Sequence, residues 1–277
     1  MWKIAAFALL VTCVLASKRA HERPEVYGGV EEKAGRGCSE SGQRVAVITL
    51  DSRNTDATNT MFLFLNSLYT HRHGYDLLVE RCSPRTDQAI INADQMDINF
   101  AKPLLLLRHL PNYDILFYVD SDAYFLEGAA PIEEVADRLL PPEAPEKILV
   151  GADCFDSSFC WSGAPNTGAI LLRNNEKTFR FLEAWASSIF PGAPCSRERN
   201  VDHREQGCFN VVIASNHEAA GAGVVRVLSV EETRTGVFGT NNGTWVRHIV
   251  GHYGADRLAR VQPAFVEAIR ATYGLLL

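Results

Sequence analysis

Short apolar runs rich in β-branched residues alternate with helical patterns along most of this 277-residue chain. Residues 44–50, RVAVITL, are typical of a buried strand, and residues 59–74, NTMFLFLNSLYTHRHG, indicate a helix that ends at a glycine. Strand patterns recur at 115–120 and 146–154, with helical segments between them. This order predicts an α/β fold in a single domain, with a mostly parallel sheet and helices on both of its faces.

The N-terminal part of the chain has a different character. Residues 1–16 begin with one positive charge at Lys3 and continue as an apolar stretch of 13 residues, which is typical of a secretory signal cleaved after Ala16. A short uncleaved signal anchor is the alternative, and it would be the only contact with a membrane. Residues 17–43 lack apolar periodicity and predict a flexible stem, so the folded domain is expected over 44–277. We therefore expect a protein of the secretory pathway, either in the Golgi lumen or secreted.

Cysteine usage agrees with an oxidising compartment. One of the seven cysteines lies in the signal segment, and the other six are Cys38, Cys82, Cys154, Cys160, Cys195 and Cys208. Six cysteines predict up to three disulfides. A zinc site is the alternative, but the sequence has no C-x2-C pair. Cys154 and Cys160 are the first pair we expect, because a bridge between them closes a short loop. The sequence Asn242-Gly243-Thr244 is a glycosylation signal for the same compartment.

Two carboxylates follow the apolar strand at 115–119. Asp120 and Asp122 are separated only by Ser121, so like charges lie close together where the strand ends. Hard divalent cations bind oxygen ligands, and ligands in parallel sheets bind beyond the carboxyl ends of the strands. The ordinary explanation of an aspartate after a strand is a turn, but two of them predict a metal site that could neutralise a diphosphate.

Four segments resemble nucleotide-sugar glycosyltransferases with the GT-A fold, and they occur in the same order as in that family. The segments are FYVDSDAYF at 117–125, similar to the Asp-x-Asp motif, NTGAILLRNNEKTFRFLEAW at 166–185, REQGCFN at 204–210, and HIVG at 248–251. The similarity extends over roughly 44–252. It is greatest to glycosyltransferase family 34, the galactosyl-, mannosyl- and xylosyltransferases, and family 8, the glycogenin-like enzymes, comes second.

The resemblance implies a set of metal ligands. Asp120, Asp122 and His248 would bind Mn²⁺, with Mg²⁺ as the second choice. His252 lies four residues after His248 and is the alternative third ligand.

The resemblance also implies which residues bind the nucleotide-sugar donor. Lys102 would contact the phosphates, and the alternative interpretation is an ordinary solvent-exposed lysine. Asn166 and Gly168 would form the donor side of the site, where a residue without a side chain lets the backbone approach the sugar. Ser121 and Gly251 would belong to the same donor site.

Three residues are candidates for the chemical step. Gln206 would face the reacting carbon of the sugar, and Asp153, at the end of a strand, would hydrogen-bond the donor sugar. Glu205 lies beside Gln206, but Asp202-x-x-Glu205 also fits the capping box of a helix. Because an amide cannot act as a general base, a neutral Gln206 predicts a reaction that retains the anomeric configuration.

These features together predict a Mn²⁺-dependent retaining glycosyltransferase that moves a hexose or pentose from a UDP- or GDP-sugar to a glycan acceptor. A secreted glycan-binding protein with a decayed transferase site is one alternative, and a phosphatase with an Asp-x-Asp motif is another. The net charge of −6 and a pI near 5.8 argue against a nucleic-acid partner, which would favour a basic face.

Overall fold

The computed structural model describes residues 42–51, 57–81, 98–154, 160–188, 195, 204–215, 223–235, 238–240, 243–249 and 255–273. The signal segment, nearly all of the stem and Asn242 of the glycosylation signal lie outside these residues, as do Gly251 and His252. Within the described part, no helix is both long enough and apolar enough to cross a membrane.

The described chain forms nine strands in two sheets. They are β1 (Val45–Asp51), β2 (Asp76–Arg81), β3 (Ile115–Asp120), β4 (Ala123–Phe125), β5 (Ile148–Cys154), β6 (Cys160–Arg173), β7 (Val225–Val227), β8 (Phe238–Thr240) and β9 (Val246–His248). The central sheet has six strands in the order β2-β1-β3-β6-β5-β7, and the smaller sheet has the order β4-β9-β8.

Seven α-helices surround the sheets in the described chain. They are α1 (Ala57–His73), α2 (Lys102–His109), α3 (Ile132–Leu139), α4 (Glu176–Ser188), α5 (Arg204–Ser215), α6 (Val230–Thr235) and α7 (Ala255–Tyr273). Short 3-10 turns, Ile98–Ala101 and Leu110–Asn112, flank α2. Helix α1 ends as predicted at Gly74, whose φ of 70° lies in the left-handed region that favours glycine.

Both faces of the central sheet are covered, as predicted. Alternate side chains of β3 point to opposite faces, so Leu116 and Tyr118 lie in one core with residues of α2, α4 and α5. Ile115 and Phe117 lie in a second core with residues of α1, α3 and the small sheet. The α/β fold with a mostly parallel sheet is therefore confirmed.

One strand of the central sheet is antiparallel to the rest. Strand β6 pairs antiparallel with both β3 and β5, whereas β1, β2, β3, β5 and β7 share one direction. Only residues 155–159 separate β5 from β6. A parallel connection needs a crossover of about a dozen residues or more, so a link of this length brings the chain back in the opposite direction.

The small sheet joins the end of β3 to the C-terminal part of the chain. Strand β4 begins directly after Asp122, and it pairs antiparallel with β9 in a register that places Ala123 opposite His248. The backbone N–H of Ile249 donates to the carbonyl of Asp122 at 2.9 Å. This pairing brings a histidine 126 residues away in sequence beside the Asp-Ser-Asp turn.

Candidate metal and donor site

The Asp-Ser-Asp turn connects the central sheet to the small sheet. Asp120 is the last residue of β3 and its side chain is 28% exposed, whereas Ser121 and Asp122 are buried. The five preceding residues of β3 are fully buried. A buried strand followed at once by a tight turn into a second strand fixes the backbone under both carboxylates, so their positions are set by the fold.

His248 completes a group of three ligand-type side chains. Its Nε2 lies 3.1 Å from Oδ1 of Asp122 and 3.7 Å from Oδ2 of Asp120. One ligand atom from each of the three residues lies within 4.8 Å of the others. Burial lowers the pKa of His248, but the neighbouring carboxylates of Asp122 and Asp120 outweigh it, and the pKa is raised above its ordinary value. Two carboxylates and an imidazole are a donor set that fits a divalent cation such as Mn²⁺.

Gly168 of β6 gives His248 the room that its ring needs. A Cβ at this position would lie 2.0 Å from Cε1 and 2.4 Å from Nδ1 of His248, and 2.9 Å from Oδ1 of Asn166. Carbon atoms in contact are normally about 3.5–4.0 Å apart. The position of the imidazole therefore requires glycine here, and the role of Gly168 toward the donor sugar stays a prediction.

Lys102 lies at the start of α2 and is enclosed by protein acceptors. Its Nζ lies 3.2 Å from Oδ1 of Asp120 and 3.0 Å from Oε1 of Glu205, and only 1% of the side chain is exposed. It also donates to the carbonyl of Thr167 at 2.9 Å. Burial lowers the pKa of Lys102, but the carboxylates of Asp120 and Glu205 raise it more, so it stays above its ordinary value. The ammonium thus pairs with the protein's own carboxylates, and the phosphate contact that the resemblance implied stays a prediction.

Tyr118 fixes the same oxygen of Asp120. Its hydroxyl donates to Oδ1 at 2.8 Å, and the two residues share one face of β3 because they are two positions apart. Burial, followed by the charge of Asp120, raises the pKa of Tyr118 well above its ordinary value. The hydroxyl therefore stays protonated and remains a donor.

Glu205 and Gln206 lie in the first turn of α5, which faces β6. Oε1 of Gln206 accepts from the backbone N–H of Thr167 at 3.1 Å. Glu205 pairs with Lys102, and its backbone carbonyl accepts from Nε1 of Trp185 at 3.2 Å. The helix-cap interpretation of Glu205 depends on Asp202, which lies outside the described residues. The described partners of the Glu205 carboxylate are the ammonium of Lys102 and the hydroxyl of Thr167.

A disulfide links α5 to Cys195. Cys208 is bonded to Cys195, and both residues are fully buried. The prediction of disulfide bonding is therefore confirmed for this pair. The Cys154–Cys160 pairing stays a prediction, because those side chains lie outside the described part, although the backbone register sets the two residues opposite each other in β5 and β6.

The remaining predicted donor residues lie around the ends of β5 and β6. Asn166 is the register partner of Gly151, and its Oδ1 accepts from the backbone N–H of Gly168 at 2.8 Å. Asp153 follows in β5, two residues after Gly151, but its side chain is outside the described part. Asn166 and His248 line one open pocket, together with Gly151 and Ala152 of β5.

Sequence reasoning missed two residues of this site. Thr167 joins Lys102 and Gln206 through its backbone, and only the motif around Asn166 hinted at it. Arg257 of α7 donates to Oδ2 of Asp122 at 2.9 Å, and it is buried. Nothing in the pattern around Arg257 distinguishes it from other arginines, because its partner is 135 residues away.

Comparisons with known proteins identify the fold. No family model matches the sequence, and the curated proteins contain no significant match. The structure is similar to that of a glycosyltransferase involved in the glycosylation of the major capsid of PBCV-1, with a TM-score of 0.54 and 14% identity over 79% of this chain and 99% of that chain. It also aligns with the galactosyltransferase LgtC, solved in complex with donor and acceptor sugar analogs, with a TM-score of 0.48 and 10% identity over 83% of this chain and 97% of that chain. At these identities the likeness extends to architecture, and the chain has the GT-A glycosyltransferase fold.

Proposed function

We propose that this protein is a Mn²⁺-dependent retaining glycosyltransferase that transfers a sugar from a UDP- or GDP-sugar to a glycan acceptor. The observation that carries the proposal is the meeting of Asp120, Asp122 and His248 at the carboxyl end of β3, in a chain with the GT-A fold. The resemblance to families 34 and 8 supports the same activity, because the matched segments include all three residues.

The three side chains would hold the cation, and the surrounding residues would keep them in place. A divalent cation bound there would supply positive charge to the diphosphate of the leaving nucleotide. Lys102 and Tyr118 both bind Oδ1 of Asp120, which leaves Oδ2 directed toward His248. Gly168 lets the His248 ring lie against β6. The protein therefore contributes a preorganised set of ligands rather than a flexible one.

Retention is supported by the partners of Glu205 and Gln206. An inverting enzyme needs a carboxylate that can take the proton of the acceptor hydroxyl. The carboxylate of Glu205 is paired with Lys102 and accepts from the hydroxyl of Thr167 at 3.3 Å, so it is poorly placed to act as that base. Gln206 is neutral and is anchored to the backbone of β6. We propose that its amide faces the reacting sugar and that the leaving diphosphate accepts the proton.

The proposed compartment is the secretory pathway. The N-terminal apolar segment is typical of a secretory signal. The disulfide between Cys195 and Cys208 fits an oxidising environment, because stable disulfides are rare in reducing compartments.

A donor panel tests the proposal. Purified protein is incubated with UDP- and GDP-sugars in the presence of Mn²⁺, Mg²⁺ or a chelator, and release of the nucleotide diphosphate is measured. We expect turnover of at least one donor, dependent on the cation and abolished in His248→Ala. Proton NMR of the product from an α-linked donor should show an α-linkage. Hydrolysis that does not depend on a cation would contradict the proposed metal dependence. A β-linked product would contradict retention. Donor binding without any turnover would favour a glycan-binding protein.

A further inference from the structure

Arg257 contacts one of the proposed metal ligands from the first turn of α7. Its guanidinium Nη2 lies 2.9 Å from Oδ2 of Asp122, and its side chain is only 7% exposed. The side chain of Asp122 is 12% exposed. A charged pair this deeply buried is costly to desolvate and needs good geometry to be retained. Arg257 is therefore held in a specific arrangement.

In both aspartates, one carboxylate oxygen pairs with a cationic side chain and the other lies near His248. Asp120 binds Lys102 with Oδ1 and has Oδ2 on the side of His248, at 3.7 Å. Asp122 has Oδ1 on the side of His248, at 3.1 Å, and binds Arg257 with Oδ2. Each carboxylate thus has a buried cationic side chain on one oxygen and the imidazole near the other. Because the two arrangements come from different elements, α2 and α7, their agreement is not a consequence of one local motif.

We propose that Arg257 is a positioning residue for the metal site, and that it holds Asp122 so that Oδ1 alone faces the cation. The inference rests on the proposed function, because it takes Asp120, Asp122 and His248 as the ligands. Partners that hydrogen-bond a metal-ligating side chain fix its orientation, and losing such a partner typically weakens metal binding about 10- to 100-fold. A planar guanidinium holds a carboxylate in a defined orientation better than a point charge does.

Two other roles for Arg257 give different results. If Arg257 competed with the cation for Asp122, its removal would strengthen cation binding, because a positive charge near the site would be lost. If it only stabilised the fold, its removal would lower the melting temperature and leave the affinity of the folded protein for the cation unchanged. The direction of the change in Kd therefore separates the three roles.

The test is calorimetric titration of the full chain with Mn²⁺ in the absence of any donor. We expect Arg257→Gln to raise the Kd by about 10- to 100-fold relative to wild type. Arg257→Lys keeps the charge but loses the planar fork, and we expect a Kd between those of wild type and Arg257→Gln. The matched control is Arg260→Gln, which removes the same charge from an exposed residue of the same helix and should leave the Kd unchanged. Circular dichroism establishes that each variant is folded.

The outcomes are decisive in each case. An unchanged or lower Kd in folded Arg257→Gln overturns the inference. If Arg257→Gln does not fold, Arg257→Lys decides. A wild-type Kd in this variant, which keeps the charge, would mean that charge alone matters and would contradict the positioning role. Failure of the inference is distinguishable from failure of the proposed function. Wild-type protein that binds neither Mn²⁺ nor Mg²⁺ would remove the metal site and the inference with it. Wild-type protein that binds Mn²⁺ while folded Arg257→Gln shows an unchanged or lower Kd would overturn the inference alone and leave the metal site intact.

Discussion

Replacing Gly168 with alanine should detach His248 from the metal site. The new Cβ would lie 2.0 Å from Cε1 of His248, whereas carbon atoms in contact are about 3.5 Å apart or more. The ring would have to move by about 1.5 Å, the difference between these distances. Metal–ligand distances tolerate deviations of only about 0.2 Å. The imidazole could then no longer share a cation with Asp120 and Asp122, and we expect the Kd for Mn²⁺ to rise at least about 10-fold.

Stability should fall by a smaller, separable amount. Adding a methyl group to a filled site typically costs about 1–3 kcal/mol. Calorimetric titration with Mn²⁺ gives the affinity, and urea unfolding in the presence of a chelator gives the free energy of unfolding without any contribution from binding. Gly151→Ala is the matched control in the neighbouring strand, because the nearest neighbours of its Cβ would be Phe238 at 3.3 Å and Thr233 at 3.4 Å rather than His248. We expect the control to bind Mn²⁺ as the wild type does.

A double mutant tests the physical reason directly. In Gly168→Ala with His248→Ala the ring that causes the clash is gone, so the free energy of unfolding should recover relative to Gly168→Ala alone. Binding of Mn²⁺ should not recover, because a ligand is still missing. Wild-type affinity for Mn²⁺ in Gly168→Ala, or the absence of any recovery of stability in the double mutant, would refute the argument.

Three further predictions concern the metal, pH and the disulfide. His248→Ala should stay folded in circular dichroism and lose Mn²⁺ binding in calorimetry; undiminished binding would point to another third ligand. Burial raises the pKa of Glu80, but the hydrogen bond and charge of His109 outweigh this effect, and the pKa is lowered. The carboxylate therefore stabilises the fold above its unfolded pKa of about 4.3, and this contribution is lost as the pH falls through the lower folded pKa. Urea unfolding at a series of pH values should therefore show a shallower loss of stability below pH 4.3 in Glu80→Gln than in wild type, and parallel curves would count against it. Removing the Cys195–Cys208 bridge with a double serine substitution should lower the free energy of unfolding by about 2–4 kcal/mol, and an unchanged urea midpoint would contradict this.

The central sheet was predictable because its signals are local. Strand β3 was predicted over 115–120 and extends over the same residues, since a strand buried on both faces appears as a continuous apolar run. The reversed direction of β6 became evident only from its observed start at Cys160, because residues 155–159 alone then separate it from β5, too few for a crossover. The general prediction of a mostly parallel sheet did not use that length.

The small sheet and Arg257 could not be predicted in the same way. Strands β4, β8 and β9 have three residues each, which is too short for an alternating pattern to stand out from chance. His248 was found only through the resemblance of HIVG to a family motif. Arg257 belongs to no matched segment, and its contact with Asp122 depends on where α7 lies in the folded chain. Residues that complete a site from a distant element have no signature in their own neighbourhood.

The charges around the turn explain how a buried strand can end in two aspartates. Asp120 and Asp122 would repel each other at close range in a poorly solvated environment. In the folded chain Lys102 pairs with the first and Arg257 with the second, and Glu205 adds a third carboxylate that shares Lys102. Three carboxylates and two cationic side chains leave about one negative charge beside His248. That balance is small enough for the turn to fold with its own partners, and it still favours a cation at the oxygens of the two aspartates that face the imidazole. The same side chains thus serve both folding and the proposed site, and this is why Lys102 lies inside the protein rather than at its surface.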